Sequence, residues 1–401
     1  MKVLFTADYI FDSDYKVFST IKTGYGYMVR DIMDEVSKSE TVMLYTHRVT
    51  DSISKNYSVE RHKIVDVLRS IRIGDCITGM KYLFMTGNSF SRRLHYWFYY
   101  LDKGAFLRVL KNNRPDIVHI HGATISSKVY VEACEELEIP YLLTLHGFNK
   151  NVKNVPVADR RCEYELLKKM QINQIPVTVV SSGIKKAIVN EYNLTGMNIS
   201  VILNGVNPEQ FLYHHQRIND NYTIVSIGNI CERKNQLQLI RAVKGVSNSI
   251  SIKVILCGGN PESINVQKCI QDSCMEDRIH YLGYVEHNDM GKVWSQADLN
   301  IVVSKVEGFG LSIVEGFGHG VPTLMFSDLD AVHDVYNPDA VELIYNRSDE
   351  DIVKGIERCY QRKWDKTKIM SFARNFSLEI VGSQYISLYK KTNEKKYYDK
   401  Y

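Results

Sequence analysis

The strongest limit on what this chain can fold into is a rhythm of short apolar runs and longer helical stretches that proceeds to about residue 205, stops, and begins again. KVLFTA (2–7), TVMLYT (41–46), DIVHIHG (116–122), YLLTLHG (141–147), VTVVSS (177–182) and VILNG (201–205) are apolar or β-branched and end in small or polar residues. Segments with helical spacing, such as SKVYVEACEELE (127–138), separate them. That alternation predicts a parallel sheet covered by helices. The second series is TIVSIGN (223–229), SIKVILCGG (251–259), RIHYLGYV (278–285), LNIVVS (299–304) and VPTLMFS (321–327), interleaved with QLQLIRAVKGV (236–246) and HNDMGKVWSQA (287–297). The passage 204–222 is polar, has no regular period and reads as the link. The expected fold class is therefore α/β, with two doubly wound, Rossmann-like parallel-sheet domains at residues 1–205 and 206–371.

Composition agrees with two globular domains: 401 residues, 44% hydrophobic and 24% charged, are enough for two sizeable cores. MKVLFTADYIFD has one lysine, a very short apolar run and then acids, which is neither a secretory signal nor an anchor. No apolar run approaches the roughly 18 residues of a spanning helix. The eight cysteines are scattered without a CxxC or a His/Cys cluster, so they read as reduced thiols of a cytoplasmic protein with no zinc site.

Charge is uneven along the chain. Through residue 205 there are 27 Lys+Arg against 21 Asp+Glu, and 23 against 25 thereafter. Residues 81–114 hold seven basic residues and one acid among many aromatics. This stretch reads either as core helices with solvated basic faces or as a surface for an anionic membrane leaflet or a lipid-linked acceptor. No recognition motif accompanies the charge, so nucleic acid is not an expected partner.

Two stretches carry chemistry. EGFGLSIVEGFGHG (307–320) puts Glu307 and Glu315 eight positions apart among glycine and apolar residues. It follows the strand LNIVVS, and ligands of open parallel sheets bind at the carboxyl ends of strands. Glu307 then lies on a loop, the amides of Phe309, Gly310 and Leu311 open a helix and favour phosphate or sugar oxygens, and Glu315 lies about a turn farther in. A carboxylate accepts from both hydroxyls of a vicinal diol, so two carboxylates can hold two diols. On spacing alone, Glu307 reads equally as a charge offsetting the helix dipole and Glu315 as a solvated residue. SIGNICERKNQ (226–236) places Arg233 and Lys234 near the next helix start, where fixed cations beside free amides suit a diphosphate.

Together with TGYGY (23–27), LTLHGF (143–148), VILNGVNPEQF (201–211) and LGYV (282–285), these blocks resemble the family 4 glycosyltransferases of the GT-B fold, in the family's order. The resemblance implies two domains facing a central cleft that closes on the donor, with helices from about 372 to 401 crossing back onto the first domain. It implies that Glu315 holds the ribose of a nucleotide-sugar donor, that Glu307 approaches the transferred sugar, and that Lys234 binds the diphosphate. Where the family carries an arginine after the first glycine of this domain, the chain has Asn229, and Arg233 is the expected substitute. Gly24 and Gly26 correspond to the family's glycine-rich loop, His146 to the histidine beside the donor sugar, and Gly283, Tyr284 and Val285 to the backbone that reads the base. His121 is a weaker correspondence, and a strand-end histidine otherwise reads as a hydrogen-bonded core residue.

No DxD pair stands at a strand end to hold a metal, and Lys234, Arg233 and the helix amides provide the positive charge the leaving diphosphate needs, so neither metal nor cofactor is expected. The resemblance implies retention at the anomeric carbon, with a uridine donor and a glycan or lipid-linked acceptor in surface polysaccharide or glycoconjugate synthesis, at the inner face of the cytoplasmic membrane. Three other classes are a nucleotide-sugar 2-epimerase of the same architecture, a dinucleotide oxidoreductase and a lectin-like descendant. MKVLFTADYIFDSDY lacks GxGxxG, which argues against the second, and the intact Glu307/Glu315 pair argues against the first and third.

Overall fold

A computed structural model describes residues 1–7, 24–46, 57–61, 64–85, 88–148, 155–207 and 221–398. The chain divides into two compact units, one of Met1–Leu203 with Glu379–Tyr401 and one of Asn204–Leu378. Residues 208–220 of the expected link lie outside the described residues.

The first unit holds a seven-stranded parallel sheet: β1 (Lys2–Thr6), β2 (Thr41–Thr46), β3 (Ser58–Arg61), β4 (Ile117–His121), β5 (Tyr141–Leu145), β6 (Val177–Val179) and β7 (Ile199–Val201), in the order β3-β2-β1-β4-β5-β6-β7. The side chains of β4 and β5 are buried throughout, as in strands covered on both faces. Hydroxyl caps fix three helix starts: Ser89 before Phe90–Asn113, Thr124 before Ile125–Glu136 and Ser181 before Ser182–Glu191 each accept from an amide of the first turn. The strand order reverses where β1 meets β4, which makes the carboxyl ends of these strands the expected ligand edge.

The last helix, Leu378–Tyr398, brings Tyr385 and Tyr389 into this unit's core. The Tyr389 hydroxyl lies 2.7 Å from His119 Nδ1. At Gly382 an added Cβ would stand 2.5 Å from Glu35 Cγ, so the helix rests directly on the helix Gly24–Ser37. Residues 372–378, expected to belong to the return, stay with the second unit: Phe372 packs on Phe317 at 5.6 Å and Phe376 on Phe309 at 6.0 Å.

The basic aromatic stretch 81–114 is not one surface. Tyr82, Tyr96, Tyr100, Phe106, Leu107 and Leu110 are core residues. Lys103 is also buried, held by Asp75 at 3.4 Å, Glu132 at 3.6 Å and Glu136 at 3.7 Å. Asp102 is buried as well, and its carboxyl accepts from the Tyr45 hydroxyl at 3.0 Å. The reason is the length of Phe90–Asn113, whose second half turns one side to the core, where Phe106 packs on Tyr45 at 4.7 Å, and leaves Arg108, Lys111 and Asn112 exposed on the other.

The second unit holds a six-stranded parallel sheet: β8 (Tyr222–Ile227), β9 (Ile252–Cys257), β10 (Ile279–Gly283), β11 (Leu299–Val302), β12 (Thr323–Phe326) and β13 (Val341–Ile344), in the order β10-β9-β8-β11-β12-β13. Its order reverses between β8 and β11. Trp294, 2% exposed, fills the core beneath the helix Leu311–Gly318, where an added Cβ on Gly316 would meet its ring at 3.2 Å. All eight cysteines are free thiols.

Candidate functional site

In the second unit, the loops after β8 and β11 meet at the switch point, and the charged residues singled out in the sequence lie on them. Lys234 Nζ donates to Glu307 Oε2, and Ser304 Oγ donates to the same oxygen at 3.1 Å. Arg233 Nη1 stands 3.9 Å from that oxygen and donates to the Val306 carbonyl at 3.2 Å. Glu307 is 8% exposed. Burial by itself pushes its carboxyl up, but the Lys234 ammonium, its hydrogen bond, Arg233 and Ser304 hold it below the usual carboxylate range. The carboxylate among glycines is therefore one half of a buried ion pair whose other half lies 73 positions earlier.

Three features shape this pocket of charge. Gly310, with φ of 80°, is the N-cap of Leu311–Gly318 and offers no side-chain cap. The amides of Phe309, Gly310 and Leu311 meet no acceptor among the described residues, which leaves donors at a positive helix end. Gly228 has φ of 142°, and an added Cβ there would stand 3.0 Å from Lys234 Cε, so the missing side chain lets the lysine lie across the strand end. Gly258 has φ of 153°, and its added Cβ would stand 2.0 Å from the Gly228 carbonyl oxygen, so β8 and β9 close on each other only through glycine.

The loops are stitched by residues that the sequence reading did not single out. Asn235 Nδ2 donates to the Val303 carbonyl at 3.2 Å, and the Lys305 amide donates to the Arg233 carbonyl at 2.8 Å. Buried Gln236 donates to the carbonyls of Gly228 and Asn229, both at 3.1 Å. Arg347, from the loop after β13, donates to the carbonyls of Ser304 at 3.0 Å and Lys305 at 3.2 Å. Its guanidinium is also held by both oxygens of Asp328 at 2.8 Å and sits 4.6 Å from the Phe326 ring centroid. These contacts fix the loop that carries Glu307.

The other candidates spread out. Glu315 is half-buried on Leu311–Gly318, and Leu311 opens that helix. The Phe309 side chain is 3% exposed and packs on Phe376, so only its amide is available to a ligand. Asn229 is half-buried beside Gly259. Tyr284 is 41% exposed with its hydroxyl 3.3 Å from Glu286, and Val285 packs on the core beside Gly283, whose carbonyl accepts from Gly258.

In the first unit, His121 ends β4 and His146 follows β5. His121 Nδ1 and His146 Nε2 share a hydrogen bond of 2.8 Å, with the rings stacked at 11°. His119 is satisfied by Tyr389 and by Thr144 at 2.6 Å, a core role. The remaining ring nitrogens, His121 Nε2 and His146 Nδ1, are buried and have no hydrogen-bond partner among the described residues. Burial lowers all three: His119 and His121 fall well below the usual range, and His146 falls to about 3. The rings are thus neutral at neutral pH. Tyr25 meets His146 edge-on at 5.0 Å. Gly24 and Gly26 were expected on a loop. They lie instead in the first turn of Gly24–Ser37, because the tyrosines and methionine that follow carry the helical apolar face back into the core.

The comparisons with known proteins agree with this architecture. The family model for Glycosyltransferase Family 4 matches residues 81–210, and that for Glycosyl transferases group 1 matches residues 211–376. Among curated relatives, the O-antigen chain mannosyltransferase RfbU of Salmonella typhimurium is 28% identical over 200 residues, 49% of this chain and 55% of that protein. The match thus spans about half of that relative's length. Among solved structures, a glycosyltransferase from Rickettsia africae superposes with a TM-score of 0.73 at 15% identity, covering 98% of each chain. HepE of Anabaena, in complex with UDP, gives a TM-score of 0.68 at 16% identity, covering 98% of this chain and 100% of that one.

Proposed function

The chain belongs to the family 4 glycosyltransferases, and on that premise we propose that it moves a sugar from a nucleotide-sugar donor to a glycan or lipid-linked acceptor, with retention and without a metal ion. The observation that carries the reading is the Lys234–Glu307 pair beside the uncapped start of Leu311–Gly318. The donor diphosphate takes its place against Lys234, Arg233 and the amides of Phe309, Gly310 and Leu311, which stabilise the negative charge that grows on the leaving group. Glu315 holds the ribose hydroxyls. Glu307 is a positioning group and not a base: its carboxylate is held in the weakly basic range by Lys234 and Ser304, with an oxygen left to meet a sugar hydroxyl.

In the proposed step, the bond from the anomeric carbon to the diphosphate oxygen breaks, and the acceptor oxygen bonds that carbon from the same face. The acceptor proton passes to the leaving phosphate. Uridine is the proposed base, following the family, and the product is proposed to feed surface polysaccharide or glycolipid synthesis at the cytoplasmic membrane.

A thermal-shift screen against UDP, GDP, ADP and their sugar conjugates, with and without EDTA, tests the donor reading, because a ligand that binds the folded form raises the melting temperature. The expected result is a shift with UDP and its conjugates that survives EDTA and disappears in Glu315→Ala. No shift at millimolar ligand, or a shift that EDTA abolishes, would refute it.

A further inference from the structure

Lys234 and Glu307 stand on loops from different strands, 73 positions apart, and a pair of that kind keeps its geometry only if the two loops are held to each other. The Lys305 amide on the Arg233 carbonyl and Asn235 on the Val303 carbonyl tie the loops directly. A second connection runs through one side chain, Gln238.

Gln238 lies on the helix Gln236–Val243 and is 9% exposed, on a helix whose buried residues include Leu239 and Ile240. Burying a carboxamide costs free energy unless its polar atoms find partners. Here both do. Oε1 accepts from Asn235 Nδ2 at 2.6 Å, and Nε2 donates to the Arg347 carbonyl at 2.7 Å, 109 positions away.

Each partner is itself committed to a loop of the site. Asn235 is the N-cap of Gln236–Val243, with φ of 60° and no side-chain cap. An asparagine at an N-cap ordinarily turns its side-chain oxygen to an amide of the first turn. This one turns its nitrogen to Val303 and Gln238 instead. Arg347 offers its carbonyl to Gln238 while its guanidinium grips the carbonyls of Ser304 and Lys305. Ser304 Oγ in turn donates to Glu307 Oε2 at 3.1 Å. A chain of contacts thus begins at Asn235, the neighbour of Lys234, passes through Gln238, Arg347 and Ser304, and ends on Glu307. A carboxamide offers a donor and an acceptor at once, which neither an aliphatic side chain nor a carboxylate of similar size does.

We propose that Gln238 is a positioning residue for glycosyl transfer: through Asn235 and Arg347 it sets the Lys234 ammonium against the Glu307 carboxylate without touching the donor. The assignment rests on the reading of those two groups as the donor site.

The test is a double-mutant cycle on the full chain with no nucleotide present, by urea unfolding read from Trp294 and Trp364 of the second unit in a Trp97→Phe background. Lys234→Ala is placed in the native chain and in Gln238→Met, which is of similar size and lacks both hydrogen bonds. The stability that Lys234→Ala removes should be smaller in Gln238→Met by about a third or more. Calorimetry with UDP should show binding weakened about tenfold in folded Gln238→Met. Gln238→Glu, at about pH 8, keeps the acceptor for Asn235 and loses the donation to Arg347, so it carries the same cycle if Gln238→Met does not fold. Additive losses overturn the proposal, because a side chain that only packs its helix lowers stability without changing what Lys234 contributes. Unchanged UDP affinity in a folded variant overturns it too. If the native chain binds no UDP, the donor reading fails by itself, and the cycle alone decides the role of Gln238.

Discussion

Replacing Lys234 by alanine should cost stability before it costs chemistry. The substitution leaves the Glu307 carboxylate 8% exposed, with only Ser304 at 3.1 Å and the distant Arg233 at 3.9 Å for partners. Breaking a buried pair from one side typically costs about 3–5 kcal/mol. The remaining partners put the expected loss near the lower end, about 3 kcal/mol. Removing both charges, as in Lys234→Met with Glu307→Leu, should return stability to within about 1 kcal/mol of the native chain, because no charge is then stranded. The pH dependence has a definite sign. In the native chain the folded-state pKa of Glu307 is depressed, so the pair's contribution is present above the ordinary carboxylate value and is lost as pH falls through the folded value. In Lys234→Ala the upward push of burial loses its chief opponent, the folded carboxyl binds its proton more readily than the unfolded one, and the deficit shrinks as pH falls. Urea unfolding at about pH 7.5 and about pH 5.5, followed by tryptophan fluorescence in a Trp97→Phe background that leaves Trp294 and Trp364 of the second unit as reporters, measures all of this. A single variant as stable as the native chain, or a double variant no better than the single, would refute the reasoning. The double variant also separates function from folding, with turnover expected to drop at least about a hundredfold while the fold is retained.

The three lowered histidines make the first unit acid-sensitive. Their folded pKa values lie below the ordinary 6.5, so stability is full above that value and lost as pH falls, by up to about 1.4 kcal/mol per pH unit for each ring. His121→Gln with His146→Gln should flatten the acid limb of the urea midpoint by about two such slopes, and an unchanged limb counts against it. Gly258→Ala would set a Cβ 2.0 Å from the Gly228 carbonyl, with an expected loss of roughly 3 kcal/mol or more in a thermal melt. Arg347→Ala removes the hold on the Ser304 and Lys305 carbonyls and should weaken donor binding about tenfold by calorimetry. Arg347→Lys, without the planar fork, should recover little.

What the sequence disclosed follows from the reach of each physical signal. Strand and helix periodicity is local, so the two parallel sheets were legible from runs such as DIVHIHG and LNIVVS. The edge strands β3 (SVER) and β13 (VELI) are interrupted by charged residues and lack the apolar run that marked the other strands. Glu307 and Lys234 drew attention through composition and spacing, yet nothing local says that they face each other, because the contact is made only when β8 and β11 become neighbours. Arg347 and Asn235 act through backbone carbonyls, which leave no trace in residue type. Of the two readings of 81–114, core helices with solvated basic faces describe Phe90–Asn113 from Tyr96 onward, where Tyr96, Tyr100, Phe106, Leu107 and Leu110 are buried and Arg108 and Lys111 exposed; composition could not separate that part from the exposed first turns, because it averages over both.

The hydrogen bond between His119 and Tyr389 joins positions 270 apart, and its consequence concerns synthesis on the ribosome. The first unit is interrupted by the whole of the second. Emerging from the exit tunnel, the sheet of β1 to β7 must wait with part of its core uncovered until Asn204–Leu378 has been made and the final helix arrives. The second unit, continuous in sequence, can therefore finish folding first, and the amino-terminal unit is the last to be sealed. A chain halted before Tyr389 would expose the seat of that helix, giving cellular quality control a means of recognising an unfinished copy.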